Sequence, residues 1–309
     1  MMKRQGNYFD DGYMVVKSLL QSEELKPVQS VIEKAVDQHT QILLSEGKID
    51  DIAESAPFDF RMAKLYRNLD NQMRSWNTDI FSHELYNLIT HKNILDVVES
   101  LIGSEIIHHG DFHLRPKLPG HQWTAFPSHQ DSQYYGKPTQ YMHVVTLSLP
   151  LVEVTEANGC IWVIPSSHHW GYLDGERGND QNTRTFEDVE KRGKPLAVPM
   201  SVGDGLFLTN LTFNSSKINQ TTNVRWTIDL RYSAIPGTKT LSPLQQEATN
   251  YMFATLRRNF TPLIVRSKSG KQSWKQWKEA KYGVKTANQQ SIMNMGTYEL
   301  VKLFSILHG

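Results

Sequence analysis

Apolar positions along the chain fall into two textures. In the first hundred residues they recur at helical spacing. Leu25, Val28, Val31, Ile32, Val36 and Leu43 mark one face of a helix running to about Leu44, and Ser22-Glu23-Glu24 supplies an N-cap with an acidic first turn. Further helical regions are predicted over about 62–88 and 94–101, and Met14–Val16 is a short β-prone run after the turn signal Asp10-Asp11-Gly12. From about Glu105, short apolar runs (106–114, 142–152, 160–164, 206–213 and 224–235) alternate with turns rich in Gly, Pro and Asn. That rhythm predicts a β-sandwich or barrel such as a double-sheet jelly roll. From Ser242 the pattern turns helical again. The chain therefore reads as one domain, 1–309, mainly β with flanking helices: a helical part over 1–104, a jelly-roll (double-stranded β-helix, cupin-like) core over 105–240 and a helical part over 241–309.

Composition narrows the partners. With 33 Lys plus Arg against 32 Asp plus Glu, the formal charge is +1, which leaves no electrostatic case for nucleic acid or a membrane surface. Between Arg257 and Lys302 ten basic residues face only Glu279 and Glu299, a pattern read first as a solvated helical face and second as a site for a phosphate-bearing substrate or acidic partner. The single cysteine, Cys160, excludes an internal disulfide and a thiolate zinc site. No apolar run approaches a membrane span, and the N-terminus lacks the apolar stretch of a signal peptide. The expectation is a soluble cytoplasmic protein, in which the Asn-x-Ser/Thr sequons at Asn210, Asn214, Asn219 and Asn259 carry no glycosylation.

Three stretches carry candidate chemistry. In Pro127-Ser128-His129-Gln130-Asp131 an extended backbone projects His129 and Asp131 from one face, so an imidazole nitrogen and a carboxylate oxygen can take adjacent positions on one divalent cation. A surface turn is the plainer account of so short a pattern. In Val224–Tyr232 one face is apolar and the other carries Arg225, Thr227, Asp229 and Arg231. That polar face is either solvated or turned into a barrel, where Arg225 could hold a carboxylate through two parallel hydrogen bonds. Asn158–Gly171 combines a turn, an apolar strand and His168-His169, which read by themselves as turn residues.

In this order the pieces resemble the phytanoyl-CoA dioxygenase family of iron(II)/2-oxoglutarate oxygenases, over nearly the whole chain. Gly12–Leu20 resembles its opening strand, Ser128–Asp131 its metal motif, Asn158–Gly171 the strand and turn that follow, Gly203-Asp204-Gly205 the approach to the distal metal strand, and Arg225–Tyr232 the strand that anchors 2-oxoglutarate. Pro262–Ser267, with Trp274 and Trp277, resembles the tail of longer members. The resemblance implies a double-stranded β-helix, iron(II) and 2-oxoglutarate as cofactors, and molecular oxygen and a small organic molecule as reactants. The outcome would be hydroxylation, desaturation, epoxidation or rearrangement. It implies His129 and Asp131 as metal ligands, Arg225 and Ser216 at the far carboxylate of 2-oxoglutarate, and Gln130, Tyr134, Tyr135, Phe213 and Trp226 on the substrate side. The aromatics Trp123 and Phe126, with the two tyrosines, hint at an apolar or ring-bearing substrate.

One position departs from the pattern. The family places a distal histidine eleven residues before the anchoring arginine, and here Asn214 stands there; after His169 the next histidine is His308. An amide oxygen is a weaker donor than imidazole for iron(II). Three accounts stay open: an inactivating substitution in an otherwise ordinary oxygenase, a natural enzyme with an altered metal centre, or a non-catalytic jelly-roll protein that binds a small molecule. A cupin-type hydrolase or isomerase is a further rival, which Arg225 disfavours.

Overall fold

A computed structural model describes residues 3–67, 69, 75–180, 182–256 and 259–283. The part of the basic C-terminal run over 284–309, with Arg257, Arg258 and His308, lies outside the described residues. The strands, in chain order, are β1 (Arg4–Gln5), β2 (Tyr13–Val16), β3 (Ile106–Lys117), β4 (Phe126–His129), β5 (Val145–Pro150), β6 (Ile161–Val163) and β7 (Gly175–Arg177). They continue with β8 (Thr183–Thr185), β9 (Leu196–Val198), β10 (Gly205–Thr209), β11 (Asn214–Ser216), β12 (Arg225–Ala234) and β13 (Leu263–Arg266). Seven of them form a large sheet in the order β1-β2-β10-β5-β12-β3-β13, and four form a smaller sheet, β4-β11-β6-β9. Every pairing between these strands is antiparallel. The two sheets face each other around one cavity, the jelly-roll arrangement expected from the strand rhythm.

Helices cover the outer face of the large sheet. α1 (Ser22–Ser45) buries Leu25, Val28, Ile32, Val36 and Leu43, the stripe legible in the sequence. Its N-cap is Gln21, one residue before the expected serine, where the backbone N–H of Gln21 donates to Glu24 Oε2 at 2.8 Å. The single region expected over 62–88 is instead two helices, α2 (Phe58–Leu65) and α3 (His83–Ile89). α4 (Lys92–Ile102) packs Ile94, Leu95, Val97, Val98 and Leu101 into the same core. Among the described residues no helix is long and apolar enough to cross a membrane.

β12 organises both layers. Trp226, Ile228, Leu230 and Tyr232 point toward the helices, where Trp226 stacks on Phe58 at 5.4 Å and the Tyr232 hydroxyl donates to Ile89 O at 3.0 Å. Arg225, Thr227, Asp229 and Arg231 point into the sandwich and line its cavity. The solvated-face reading of this strand is therefore corrected: both faces are interior. Across it, register shifts between Leu230 and Tyr232, opposite Gly110 of β3. Gly110 has φ +73, and a Cβ there would lie 2.2 Å from Thr261 O, so glycine is required where the chain after α6 (Pro243–Leu256) passes.

The C-terminal part also differs from expectation. Leu263 and Val265 are buried with Ile264 and Arg266 half-buried between them, and this alternation makes Leu263–Arg266 a strand on the edge of the large sheet, not part of a helix. α7 (Trp274–Gly283) follows and buries Trp277 in the main core.

Candidate active site

The cavity between the sheets has a volume of about 480 Å³. β4 brings His129 to it: Pro127 sits on this edge strand, where its missing N–H costs no ladder bond. His129 Nδ1 lies 2.8 Å from Pro127 O. A carbonyl only accepts, so Nδ1 carries the proton and the Nε2 lone pair is left for a ligand. Burial lowers the pKa of this imidazole, and the nearby Asp131 carboxylate offsets that only in part. Asp131 opens the single-turn α5 (Ser132–Tyr135), and its Oδ1 stands 3.8 Å from His129 Nε2. Asp131 Oδ2 accepts from Thr146 Oγ1 at 2.8 Å and from Arg231 Nε at 3.3 Å. Burial alone would push this carboxyl up, but Arg231, His129 and Thr146 hold it below its usual range.

Asn214 is the cross-strand partner of His129, on β11. Its Nδ2 donates to His129 O at 3.4 Å and Thr212 O at 3.3 Å, an orientation in which the amide oxygen is the atom left over for a ligand. Among the described residues no three His, Cys, Asp or Glu side chains gather at one point. His129 and Asp131 are thus the strong donors, and an amide stands third.

At another part of the cavity wall lies a cation that no carboxylate contacts among the described residues. Arg225 is 4% exposed, its Nε has no hydrogen-bond partner, and no carboxylate pairs with it among the described residues. Burial brings its guanidinium down to about 10, opposed by the nearby Asp229 carboxylate and reinforced by Arg115. Its cross-strand neighbour on β3 is Lys117, which is 1% exposed. Lys117 Nζ reaches only neutral oxygens: Thr124 O at 2.5 Å, Ser216 Oγ at 2.9 Å and Lys217 O at 2.7 Å. Burial first, then Arg225 and Arg115, lowers this ammonium to about 6. Buried charge left unpaired is costly, so an arginine placed this way is suited to a carboxylate arriving from outside the protein.

Of the residues expected from sequence, the cavity gathers His129, Asp131, Asn214, Arg225, Ser216, Tyr134 and Tyr135. Three others lie elsewhere, which corrects their expected substrate role. Gln130 is fully buried and ties loops together, donating to Gly171 O and Leu211 O, each at 2.8 Å, and accepting from Leu173 N at 2.9 Å. Phe213 packs with Ile164, Val189 and Trp170, and Trp226 belongs to the helix-facing core. His168 bonds Phe9 O from its turn and stays out of the cavity. Sequence reasoning missed the β3 set Asp111, His113, Arg115 and Lys117, with Thr146 and Ser148 on β5 and the role of Arg231. Their signal was present, since the four β3 residues alternate with the apolar Phe112 and Leu114.

Comparison with known proteins follows the same lines. A family model described as phytanoyl-CoA dioxygenase (PhyH) matches residues 8–227. A probable phytanoyl-CoA dioxygenase of Caenorhabditis elegans is 25% identical over 159 residues, covering 48% of this chain and 50% of its own. A methylphosphonate hydroxylase of Gimesia maris is 28% identical over 155 residues, covering 50% and 56%. The chain therefore spans about half the length of the curated relatives it matches. Among solved structures, EctD from S. alaskensis with 2-oxoglutarate and 5-hydroxyectoine aligns with TM-score 0.51 and 19% identity over 77% of this chain and 80% of that one. The epimerase SnoN in complex with Fe3+, alpha ketoglutarate and nogalamycin RO aligns with TM-score 0.51 and 19% identity over 74% and 81%. At these identities the structural matches speak to the fold.

Proposed function

We propose, from the premise that this chain belongs to the phytanoyl-CoA dioxygenase family, that it is an iron(II)/2-oxoglutarate-dependent oxygenase acting on a small organic molecule. The observation that carries the reading is a single cavity walled both by the His129–Asp131 pair and by the buried Arg225, which no carboxylate contacts among the described residues. Bound together there, iron(II) and 2-oxoglutarate would supply oxygen activation coupled to oxidative decarboxylation of the keto acid. His129 through Nε2 and Asp131 through Oδ1 would hold the cation, with the Asn214 amide oxygen as a third, weaker donor. Arg225 would grip the far carboxylate of the keto acid. Once Lys117 is protonated, its ammonium donates to Ser216 Oγ as well as to two carbonyls, and the serine's own proton would be free to point at that carboxylate. Of the other lining residues, Phe126, Tyr134, Ile161, Leu256 and Phe260 would keep water from the reacting carbon, and Asn182 and Asn259 would offer polar contacts for orienting it. The single cysteine, fully buried, suits the reducing cytoplasm.

Asn214 favours a second reading, a binding protein of the same fold that takes 2-oxoglutarate or a similar diacid without turnover. Anaerobic titration with iron(II) and 2-oxoglutarate separates the two. The oxygenase reading expects the visible metal-to-ligand charge-transfer band in this chain, and a stronger one in Asn214→His. A band only in Asn214→His supports the binding protein. No band in either sinks the oxygenase reading.

A further inference from the structure

The proposed cation site has only two strong protein donors, so how each is oriented matters more than usual. Arg231, from the cavity face of β12, is 7% exposed and spans two buried carboxylates. Its Nε donates to Asp131 Oδ2 at 3.3 Å and its Nη1 to Asp111 Oδ2 at 3.1 Å. Thr146, the cross-strand neighbour of Arg231 on β5, donates to the same Asp131 Oδ2 at 2.8 Å. One oxygen of Asp131 thus takes two protein donors. The other takes none among the described residues and lies 3.8 Å from His129 Nε2.

We infer that Arg231 and Thr146 are positioning residues that occupy Asp131 Oδ2, so that Asp131 meets the cation through Oδ1 alone. The inference rests on the reading of His129 and Asp131 as cation donors. A carboxylate free to rotate can chelate with both oxygens and fill two adjacent positions on a metal. Holding one oxygen back keeps a position open for the keto acid or for oxygen. Arg231 is itself held. The Tyr135 hydroxyl donates to Asp111 Oδ2 at 2.5 Å, and His113 Nε2 lies 2.8 Å from Asp111 Oδ1. Asn77 fixes His113 in turn: its Oδ1 accepts from Leu114 N at 3.1 Å, so its Nδ2 is the group 3.1 Å from His113 Nδ1, and Nδ1 must accept. His113 therefore carries its proton on Nε2, the ring nitrogen nearer Asp111. A residue acting only to neutralise two buried carboxylates would need none of this directionality.

The test uses the full-length apoprotein titrated with cobalt(II) alone, followed by its visible d–d bands, with thermal melting as the control for folding. Arg231→Lys keeps the charge but presents a single ammonium in place of the fork. Its cobalt affinity is expected to fall roughly tenfold or more, the scale of losses around bound metals. Thr146→Val keeps the shape and loses only the hydroxyl, and is expected to fall about threefold, below that scale because Arg231 remains. Both are expected to shift the band positions from those of the wild type as Oδ2 becomes free. Wild-type affinity and bands in both variants, whatever their melting temperatures, would overturn the positioning role alone. If Arg231→Lys does not fold, Thr146→Val decides. A wild-type protein that takes no cobalt overturns this role and the oxygenase reading together.

Discussion

Arg225 and Lys117 face each other across β12 and β3, two buried nitrogen bases side by side, and neither reaches a carboxylate among the described residues. Such a pair is a poor element of a resting core and a good receptor for an acid. Arg225→Met should therefore separate stability from binding. Removing an unpaired buried charge should leave the melting temperature of the apoprotein equal or higher. It should also weaken 2-oxoglutarate binding by roughly 10- to 100-fold, since a hydrogen bond to a charged group contributes about 1.5–3 kcal/mol. Calorimetric titration and a melting curve on the same sample check both halves. Unchanged affinity would remove Arg225 from the site.

Lys117 makes the pH dependence specific. Its folded pKa of about 6 lies below the ordinary value of about 10.4 in the unfolded chain. Between those values the unfolded chain binds more protons, so this group makes stability rise with pH from about 6 toward 10. The gap in melting temperature between wild type and Lys117→Met should therefore move in favour of the wild type between pH 6.5 and 8.5. A diacid arriving beside Arg225 should raise the Lys117 pKa and draw in up to about one proton near pH 7. Calorimetry in buffers of different ionisation enthalpy reads that uptake, and an uptake that survives in Lys117→Met would assign it elsewhere.

Asn214→His tests the third donor directly. The imidazole would enter at the position paired with His129, and iron(II) affinity should rise on the order of tenfold or more, with succinate formation rising alongside. Metal content and succinate yield unchanged from the wild type would mean that position 214 is not a ligand.

Trp226 should behave in the opposite way to its neighbour in sequence. It stacks on Phe58 and is fully buried against the helices, so Trp226→Ala should cost about 3–5 kcal/mol in chemical unfolding. The milder Trp226→Phe should lower stability and leave the 2-oxoglutarate affinity of the folded fraction at the wild-type value. A selective loss of affinity would place the indole at the site after all.

That contrast explains what was legible in the sequence. Short apolar runs between turns identified the main strands, and apolar spacing identified α1 and α4, because each of these helices buries one stripe. Arg225 was legible from its place on an extended strand. The His-x-Asp pair was found by its spacing, although the strand stops at His129. Asp131 already has helical backbone at the start of α5, so a turn and not strand alternation turns its carboxylate back to His129. The errors came from letting nearness in sequence override the period of two. Trp226 follows Arg225 on β12, so the alternation that puts the arginine in the cavity sends the indole away from it. Gln130, in the turn between β4 and α5, is drawn off by its hydrogen bonds to Gly171, Leu211 and Leu173. The charged face of β3 was missed because His108-His109-Gly110 interrupts the alternation just before Asp111, where the pairing with β12 shifts. Arg231 could be placed on the polar face but not paired, since Asp111 and Asp131 come to it from distant parts of the chain.

The two interior faces of β12 have an evolutionary and experimental consequence. Along ten consecutive residues, tolerance to change should keep a two-beat rhythm: substitutions at Trp226, Ile228, Leu230 and Tyr232 deplete the amount of folded protein in a cell, whereas those at Arg225, Thr227, Asp229 and Arg231 spare abundance more than they spare function. A mutational scan scoring quantity and activity separately would thus trace the pleat of a single strand, one residue at a time.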